Sequence, residues 1–245
     1  MKAVILAAGI SSRLRPLTDN TPKCLLNVGE KKILELTIDN ILANAINDII
    51  IVTGYLEQQI KDFVTANYPL LKVNYIYNDV YSSTNNIYSL WLTKEAVLGN
   101  EMLLMDSDIV FDREIIKSLI DSGYENCLAL KRHAVGEEEI KVKAGADRRV
   151  LKISKEVKPA EAIGESIGIE KFGTNGLKKL FDILDRKVKN EKDVNIFYEA
   201  AFQELIDGKE DLFAVDVTNF TCMEIDTAHD LEAAGKMTLQ KSNGL

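Results

Sequence analysis

Histidine and cysteine are scarce in this chain. Among 245 residues there are two histidines, His133 and His229, and three cysteines, Cys24, Cys127 and Cys222. No Cys-x-x-Cys pair and no His/Cys cluster occurs, so neither a disulfide framework nor a zinc site is indicated. The histidines stand alone, which makes a Ser-His or Cys-His catalytic pair improbable. Long apolar runs are also missing. Nothing approaches the ~20 residues of a membrane-spanning helix, and the apolar stretch at 3–8 is too short for a secretory signal. Positive charge is in deficit: 30 Lys and Arg against 38 Asp and Glu give a net charge of −8. That balance argues against a nucleic-acid partner and against a membrane surface, both of which favour basic faces. It leaves room for a small anionic ligand held by local cations. The expectation is a reduced, soluble, cytoplasmic protein.

What is present is an ordinary globular composition with a clear alternation. Hydrophobic residues make up 46% of the chain, enough for a substantial core, and no linker, repeat or low-complexity stretch interrupts it. Residues 3–7, 48–52, 73–77 and 102–105 are short apolar runs that read as strands. Between them Ile33, Leu36, Ile38, Ile41 and Leu42 fall near helical spacing, as do Ile60, Phe63 and Val64. Strand–helix–strand repetition implies parallel strands with right-handed crossovers, and continuous apolar strands imply burial on both faces. Past Asp112 the pattern changes. A helix over about 113–122 leads to a strand at 128–130. Two short strands then flank the turn Gly145-Ala146-Asp147 in EEEIKVKAGADRRVLKISKEV. Helices follow at about 175–188 and 196–206, then a strand at 212–217 and a last helix at about 227–237. The simplest reading is one α/β domain over 1–245 with a central mixed, mostly parallel sheet.

Ligands of parallel α/β sheets sit beyond the carboxyl ends of the strands. Leu6, Ala7, Ala8 and Gly9 stand at the end of the first strand, and Ser11, Ser12, Arg13, Arg15 and Lys23 follow. Small residues let a ligand approach the backbone, amides can face phosphate oxygens, and the cations add charge. The pattern is neither GxxxxGK[ST] nor GxGxxG. The bland alternative is a surface loop with solvated cations.

The stretch LAAGISSRLRPLTDNTPK closely resembles the signature of nucleotidyltransferases that join a nucleoside triphosphate to a sugar-1-phosphate or another phosphomonoester. One departure is Ser11, where a second glycine is common. The resemblance implies a Rossmann-like three-layer α/β/α fold, with residues 1–112 binding nucleotide and 113–245 binding the acceptor. Leu6, Ala7, Ala8, Gly9, Ser11 and Ser12 would hold the triphosphate while Arg13 and Lys23 neutralise it. A phosphate oxygen of the acceptor attacks the α-phosphorus and pyrophosphate leaves. That chemistry needs positioning and charge stabilisation more than a covalent nucleophile.

In LLMDSDIVF, alternation puts Asp106 and Asp108 on one face at a strand end, where carboxylates suit Mg²⁺ or Mn²⁺. A turn or helix-cap role is the plain alternative. The resemblance implies that Asp108 and Asp226, the latter in CMEIDTAHDL, are the metal ligands, with Asp106 beside the nucleotide. Asp226 could also cap the last helix.

The stretch YNDVYSSTNNIYSLWL resembles phosphocholine cytidylyltransferases of the bacterial choline-incorporation type and relatives acting on 2-aminoethylphosphonate. The amides of Asn85 and Asn86, with Ser83 beside them, suit a pyrimidine edge, although two asparagines can simply cap the next helix. CTP is therefore the expected donor, and a small amine-bearing phosphate or phosphonate the expected acceptor. Tyr198 and Glu199 in NIFYEAAFQEL match an aromatic–acidic pair for an ammonium group. An aromatic at helical spacing is also a common core residue. Tyr81, with Tyr88 and Trp91, offers other aromatic walls. Lys155 is the expected cation for the acceptor phosphate, Lys141 the second choice, and Glu165 and Ser166 border the pocket. Two other readings remain: a sugar-1-phosphate nucleotidyltransferase using UTP, dTTP or GTP, and a non-catalytic nucleotide-binding regulatory domain.

Overall fold

A computed structural model describes residues 1–242, with side chains through 236; the final residues of the second half lie outside them. The apolar run after Lys2 forms β1 (Lys2–Ala7). There follow a short hairpin of β2 (Asn27–Val28) and β3 (Lys31–Lys32), α1 (Ile33–Ala43), β4 (Ile49–Thr53), α2 (Glu57–Asn67) and β5 (Val73–Tyr77). Next come α3 (Asn86–Leu92), α4 (Lys94–Val97), β6 (Met102–Asp106), β7 (Ile109–Phe111) and α5 (Glu114–Asp121). The remainder is β8 (Cys127–Lys131), β9 (Lys141–Ala144), β10 (Val150–Ser154), β11 (Gly164–Phe172), α6 (Thr174–Asp185), α7 (Glu199–Asp207), β12 (Phe213–Asp216), β13 (Cys222–Glu224) and α8 (Ala228–Ser242).

The main sheet runs β10-β9-β11-β6-β1-β4-β5, with β8 paired to β11 and β12 to β8. β6, β1, β4 and β5 are mutually parallel; β11 is antiparallel to β6 and β8, so the sheet is mixed. Strand alternation splits β1 between two apolar layers. Ala3, Ile5 and Ala7 pack with Ile38 of α1, Ile60 of α2 and Ile116 of α5. Val4 and Leu6 pack with Leu90 of α3, Phe181 of α6 and Phe202 of α7. Both faces are thus covered, as continuous apolar strands require. A smaller third cluster joins Leu14, Val28, Val110, Ile225 and Ala234 and carries α8. No helix among the described residues is long and apolar enough to cross a membrane.

The element that pattern alone does not reveal is β11. GESIGIEKF holds two glycines and three charged residues, so no apolar run announces a strand. Yet it lies at the sheet centre, and Glu170 is 0% exposed. One edge of β11 pairs with β9 through Gly164 and Glu165 and with β6 through Ile169 to Phe172. Between these two pairings Gly168 takes φ +70°. A Cβ there would stand 2.9 Å from Asp106 Oδ2, so only glycine lets the strand kink past that carboxylate. Gly54, after β4, meets a similar constraint: a Cβ would fall 2.6 Å from Ala8 O and 2.8 Å from Tyr81 Cβ.

Gly168→Ala is expected to lower the urea midpoint, by about 1–3 kcal/mol of stability, through positive-φ strain and the Asp106 collision. Gly9→Ala has open space around it and should stay within about 0.5 kcal/mol of the parent. Equal midpoints for the two variants would show that the kink is not constrained.

Candidate active site

The carboxyl ends of β1 and β6 open onto a cavity of about 340 Å³. Leu6, Ala7, Ala8, Gly9, Ser11, Arg13 and Lys23 all line it. Ser11 sits at φ +53°, and Thr18 Oγ1 donates to its carbonyl at 2.9 Å. The serine accepts a left-handed geometry that glycine takes more readily. Asn85, Asn86 and Asp106 also line this cavity. Asn85 Oδ1 accepts from Asn86 N (2.8 Å), so it caps α3. Asn86 Oδ1 accepts from Tyr198 N (2.9 Å). Capping and cavity lining therefore coexist at these two asparagines. Asn78 goes unnoticed in sequence, yet its Nδ2 donates to Thr84 Oγ1 (3.1 Å) and Ser89 Oγ (3.2 Å), fastening the loop to α3. Its only signal is an amide just past a strand end.

Three expected contacts fall elsewhere. Ser12 opens a 3-10 turn (Ser12–Leu14) and does not line the cavity. Ser83 Oγ donates to Val80 O at 3.2 Å, closing its own turn. Tyr81 lines the cavity beneath the β1 loop and packs against Tyr55, not beside the acceptor residues.

At the mouth of this cavity the charges converge. Lys23 Nζ donates to Asp108 Oδ2 (2.7 Å) and Asp226 Oδ1 (2.9 Å), and Arg13 Nη2 reaches Asp226 Oδ2 at 2.9 Å. Burial alone would lower the Lys23 pKa; the two carboxylates outweigh it and raise it above the ordinary lysine value. Asp108 stands in the turn between β6 and β7. β13 pairs with β7, setting Glu224 opposite Ile109. Oxygens of Asp108, Glu224 and Asp226 lie within 4.8 Å of one another. Glu224 escapes sequence reading, although alternation in CMEID puts it on the same side as Asp226. Burial, then Asp108 and Asp226, pushes Glu224 up to about 7. An all-oxygen set under mutual repulsion, already bridged by an ammonium, fits a hard divalent cation. Asp226 is not the helix cap. Asp230 Oδ2 accepts from Asp226 N and Thr227 N, and Thr227 Oγ1 accepts from Asp230 N in return.

A second cavity, also about 340 Å³, adjoins this centre and shares Arg13, Asn86, Asp106, Asp108, Glu224 and Asp226 with the first. Lys155, Glu165, Ser166 and Glu199 line it. Lys155 Nζ lies 3.2 Å from Glu138 and 5.1 Å from the centre of the Phe197 ring. Phe197, 44% exposed, lines both cavities and is the aromatic wall that sequence reading passed over in favour of its neighbour.

Tyr198 itself is 0% exposed, packs on Phe202 and donates its hydroxyl to Asp106 Oδ2 at 2.9 Å. It supports the site from the core instead of forming its wall. Lys141 is 1% exposed and donates to the carbonyls of Gly136, Glu137 and Glu139. Its ammonium is consumed in holding that loop and does not line the cavity. Trp91 Nε1 donates to Asp185, and Tyr88 stacks obliquely on Trp91, so neither faces the site.

Burial pushes the Glu199 carboxyl up to about 7. Burial also pushes Asp106 well above the carboxylate range, with the charges of Asp108, Glu199 and Glu224 adding to the effect, and it raises Glu170 likewise, helped by Asp106 and Glu199. The thiols of Cys24 and Cys222 rise to about 12 by burial, so neither is a nucleophile.

Residues 2–160 match the family model described as nucleotidyl transferase, and the chain belongs to that family of transferases. Its relatives include the choline-phosphate cytidylyltransferase of Streptococcus pneumoniae, 30% identical over 235 residues and covering 94% of this chain and 95% of that one. The CTP:phosphoglutamine cytidylyltransferase of Campylobacter jejuni is 27% identical, covering 95% and 98%. Among solved structures, the CTP:phosphocholine cytidylyltransferase of S. pneumoniae superimposes with a TM-score of 0.80 at 26% identity, over 97% of this chain and 98% of that one. The inositol-1-phosphate CTP transferase of T. maritima reaches 0.82 at 19% identity over 100% and 97%, which speaks for the shared Rossmann-like fold alone.

Glu199 generates a pH prediction. Its folded value of about 7 exceeds the unfolded 4.5. The folded state therefore keeps a proton that the unfolded chain releases. The associated stability is full below pH 4.5 and is lost as pH rises through about 7. Glu199→Gln should match the parent at pH 5 and exceed it at pH 8, by up to about 3 kcal/mol in urea unfolding. A difference independent of pH would contradict the buried neutral carboxyl.

Proposed function

We propose that the protein transfers CMP from CTP to a small amine-bearing phosphate or phosphonate and releases pyrophosphate. The observation that carries this reading is the meeting of two unlike cavities at one charged centre. The first offers backbone amides, asparagine amides and cations to a nucleoside triphosphate. Half of the residues lining the second are Asp or Glu, with Lys155 among the rest, which suits a dipolar ester with a phosphate at one end and an ammonium at the other. The relatives, a choline-phosphate cytidylyltransferase and a CTP:phosphoglutamine cytidylyltransferase, support the same pairing.

In this reading Leu6, Ala7, Ala8, Gly9 and Ser11 surround the triphosphate, and Arg13 and Lys23 stabilise charge that builds on the transferred phosphoryl group. Asn85 and Asn86 border the base and Asp106 the nucleotide's inner side. Asp108 and Asp226, joined by Glu224, would hold Mg²⁺ or Mn²⁺, which when bound supplies charge neutralisation and alignment of phosphate oxygens. Lys23 then exchanges its carboxylate partners for phosphate oxygens. Lys155 aims the acceptor oxygen at the α-phosphorus, with Glu165 and Ser166 beside it, and Glu199 receives the ammonium.

Pyrophosphate release from CTP, UTP, GTP and dTTP, each tested with phosphocholine, phosphoethanolamine, 2-aminoethylphosphonate and glucose-1-phosphate, checks the reading. CTP with an amine ester should give the highest kcat/KM; glucose-1-phosphate with UTP or dTTP outperforming it would overturn the assignment. Lys23→Ala should lower kcat by about 100-fold or more, since one lost transition-state contact costs about 3 kcal/mol. Activity should vanish with excess chelator and return with Mg²⁺. Turnover that persists in chelator would remove the metal role.

A further inference from the structure

Beneath the second cavity lie carboxylate oxygens without a donor. Glu199 lines the cavity, is 7% exposed, and its Oε2 has no hydrogen-bond partner among the described residues. Behind it Glu170, on β11, is 0% exposed; Oε1 accepts from Ser166 Oγ at 3.2 Å, and Oε2 has no partner. A buried carboxyl with an unsatisfied oxygen is costly in either protonation state, and the one that lines the cavity, Glu199, can accept N–H groups from a ligand once its proton is given up. The local donors are already engaged. The Tyr198 hydroxyl serves Asp106, Arg13 serves Asp226, and Lys155 serves Glu138.

Aromatic surface is what this wall lacks. Among the described residues lining the cavity, Phe197 is the one aromatic, and Lys155 already stands over its ring. A quaternary ammonium has no N–H and is held by aromatic faces. Against this wall it would bring methyl groups to the carboxylate oxygens and leave them desolvated and unpaired.

Resting on the amine-ester reading above, we infer that this site selects an acceptor whose ammonium carries N–H bonds, a primary ammonium donating to Glu199, and discriminates against a quaternary ammonium. Glu199 is then the specificity-determining residue. Glu170 lies behind it, out of reach of the cavity, and the enclosed Tyr198 keeps Asp106 from competing for the same cation.

The test is a methylation series. Phosphoethanolamine and its mono-, di- and trimethylated forms, the last being phosphocholine, are assayed with saturating CTP. The wild-type kcat/KM should fall along the series, by about 10- to 100-fold between the primary and quaternary members, since hydrogen bonds to a charged group are worth about that much. The loss should sit in the acceptor KM. In Glu199→Gln the spread should shrink to about threefold or less while the KM for CTP is unchanged. The wild-type series decides alone if that variant does not fold. A quaternary ester used as well as the primary amine, or better, overturns the N–H requirement while leaving the cytidylyltransferase reading intact. If every amine is inert and glucose-1-phosphate is turned over, the amine reading itself falls and this inference with it.

Discussion

One ammonium group holds the centre of this protein together. Lys23 donates to Asp108, 85 residues away, and to Asp226, 203 residues away. Three stretches from the start, middle and end of the chain therefore meet at one point. Buried ion pairs are weak sources of net stability, because desolvation offsets most of the attraction. Their value here is geometric. Without the cation, Asp108 and Glu224 would face Asp226, which Arg13 alone would then pair, within 4.8 Å. That repulsion is of the kind a hard divalent cation relieves.

From that point the two cavities diverge because two kinds of strand end supply them. The parallel strand β1 ends in the small residues Ala7, Ala8 and Gly9, and the polar loop from β5 to α3 closes the space. The antiparallel strand β11 brings Glu165, Ser166 and Glu170 inward, and its kink at Gly168 leaves room for the Asp106 carboxylate. The result is a wall of buried acids with raised pKa values next to a loop of cations. Such a wall costs stability, which is the usual signature of a site shaped for a ligand instead of for folding.

Much of the first half was legible in residue order. Apolar runs at 3–7, 48–52, 73–77 and 102–105 separated by helical repeats read as strands, and the structure has them as β1, β4, β5 and β6; the first, second and fourth are buried, while β5, at the sheet edge, is only partly covered. The cluster of small residues and cations after β1, and the aspartates at 106 and 108, follow from where parallel strands end. Local spacing carries this information because each feature is contiguous in the chain.

Burial and partner choice were beyond it. Glu170 and Lys141 look like surface charges in sequence, yet they lie at 0% and 1% exposure, since β11 and β9 are central by virtue of strands more than a dozen residues away. Tyr198 and Phe197 are adjacent and similar; the start of α7 turns one into the core and the other into the cleft. Glu224 joins Asp108 only through the pairing of β13 with β7. The sequence by itself determined the layered α/β fold and the cation-bearing loop after β1, because both are written in short-range pattern. Only the tertiary structure decided which charges are buried, which aromatic faces the ligand and which acids share a cation, because each depends on side chains brought within a few ångströms by elements far apart along the chain.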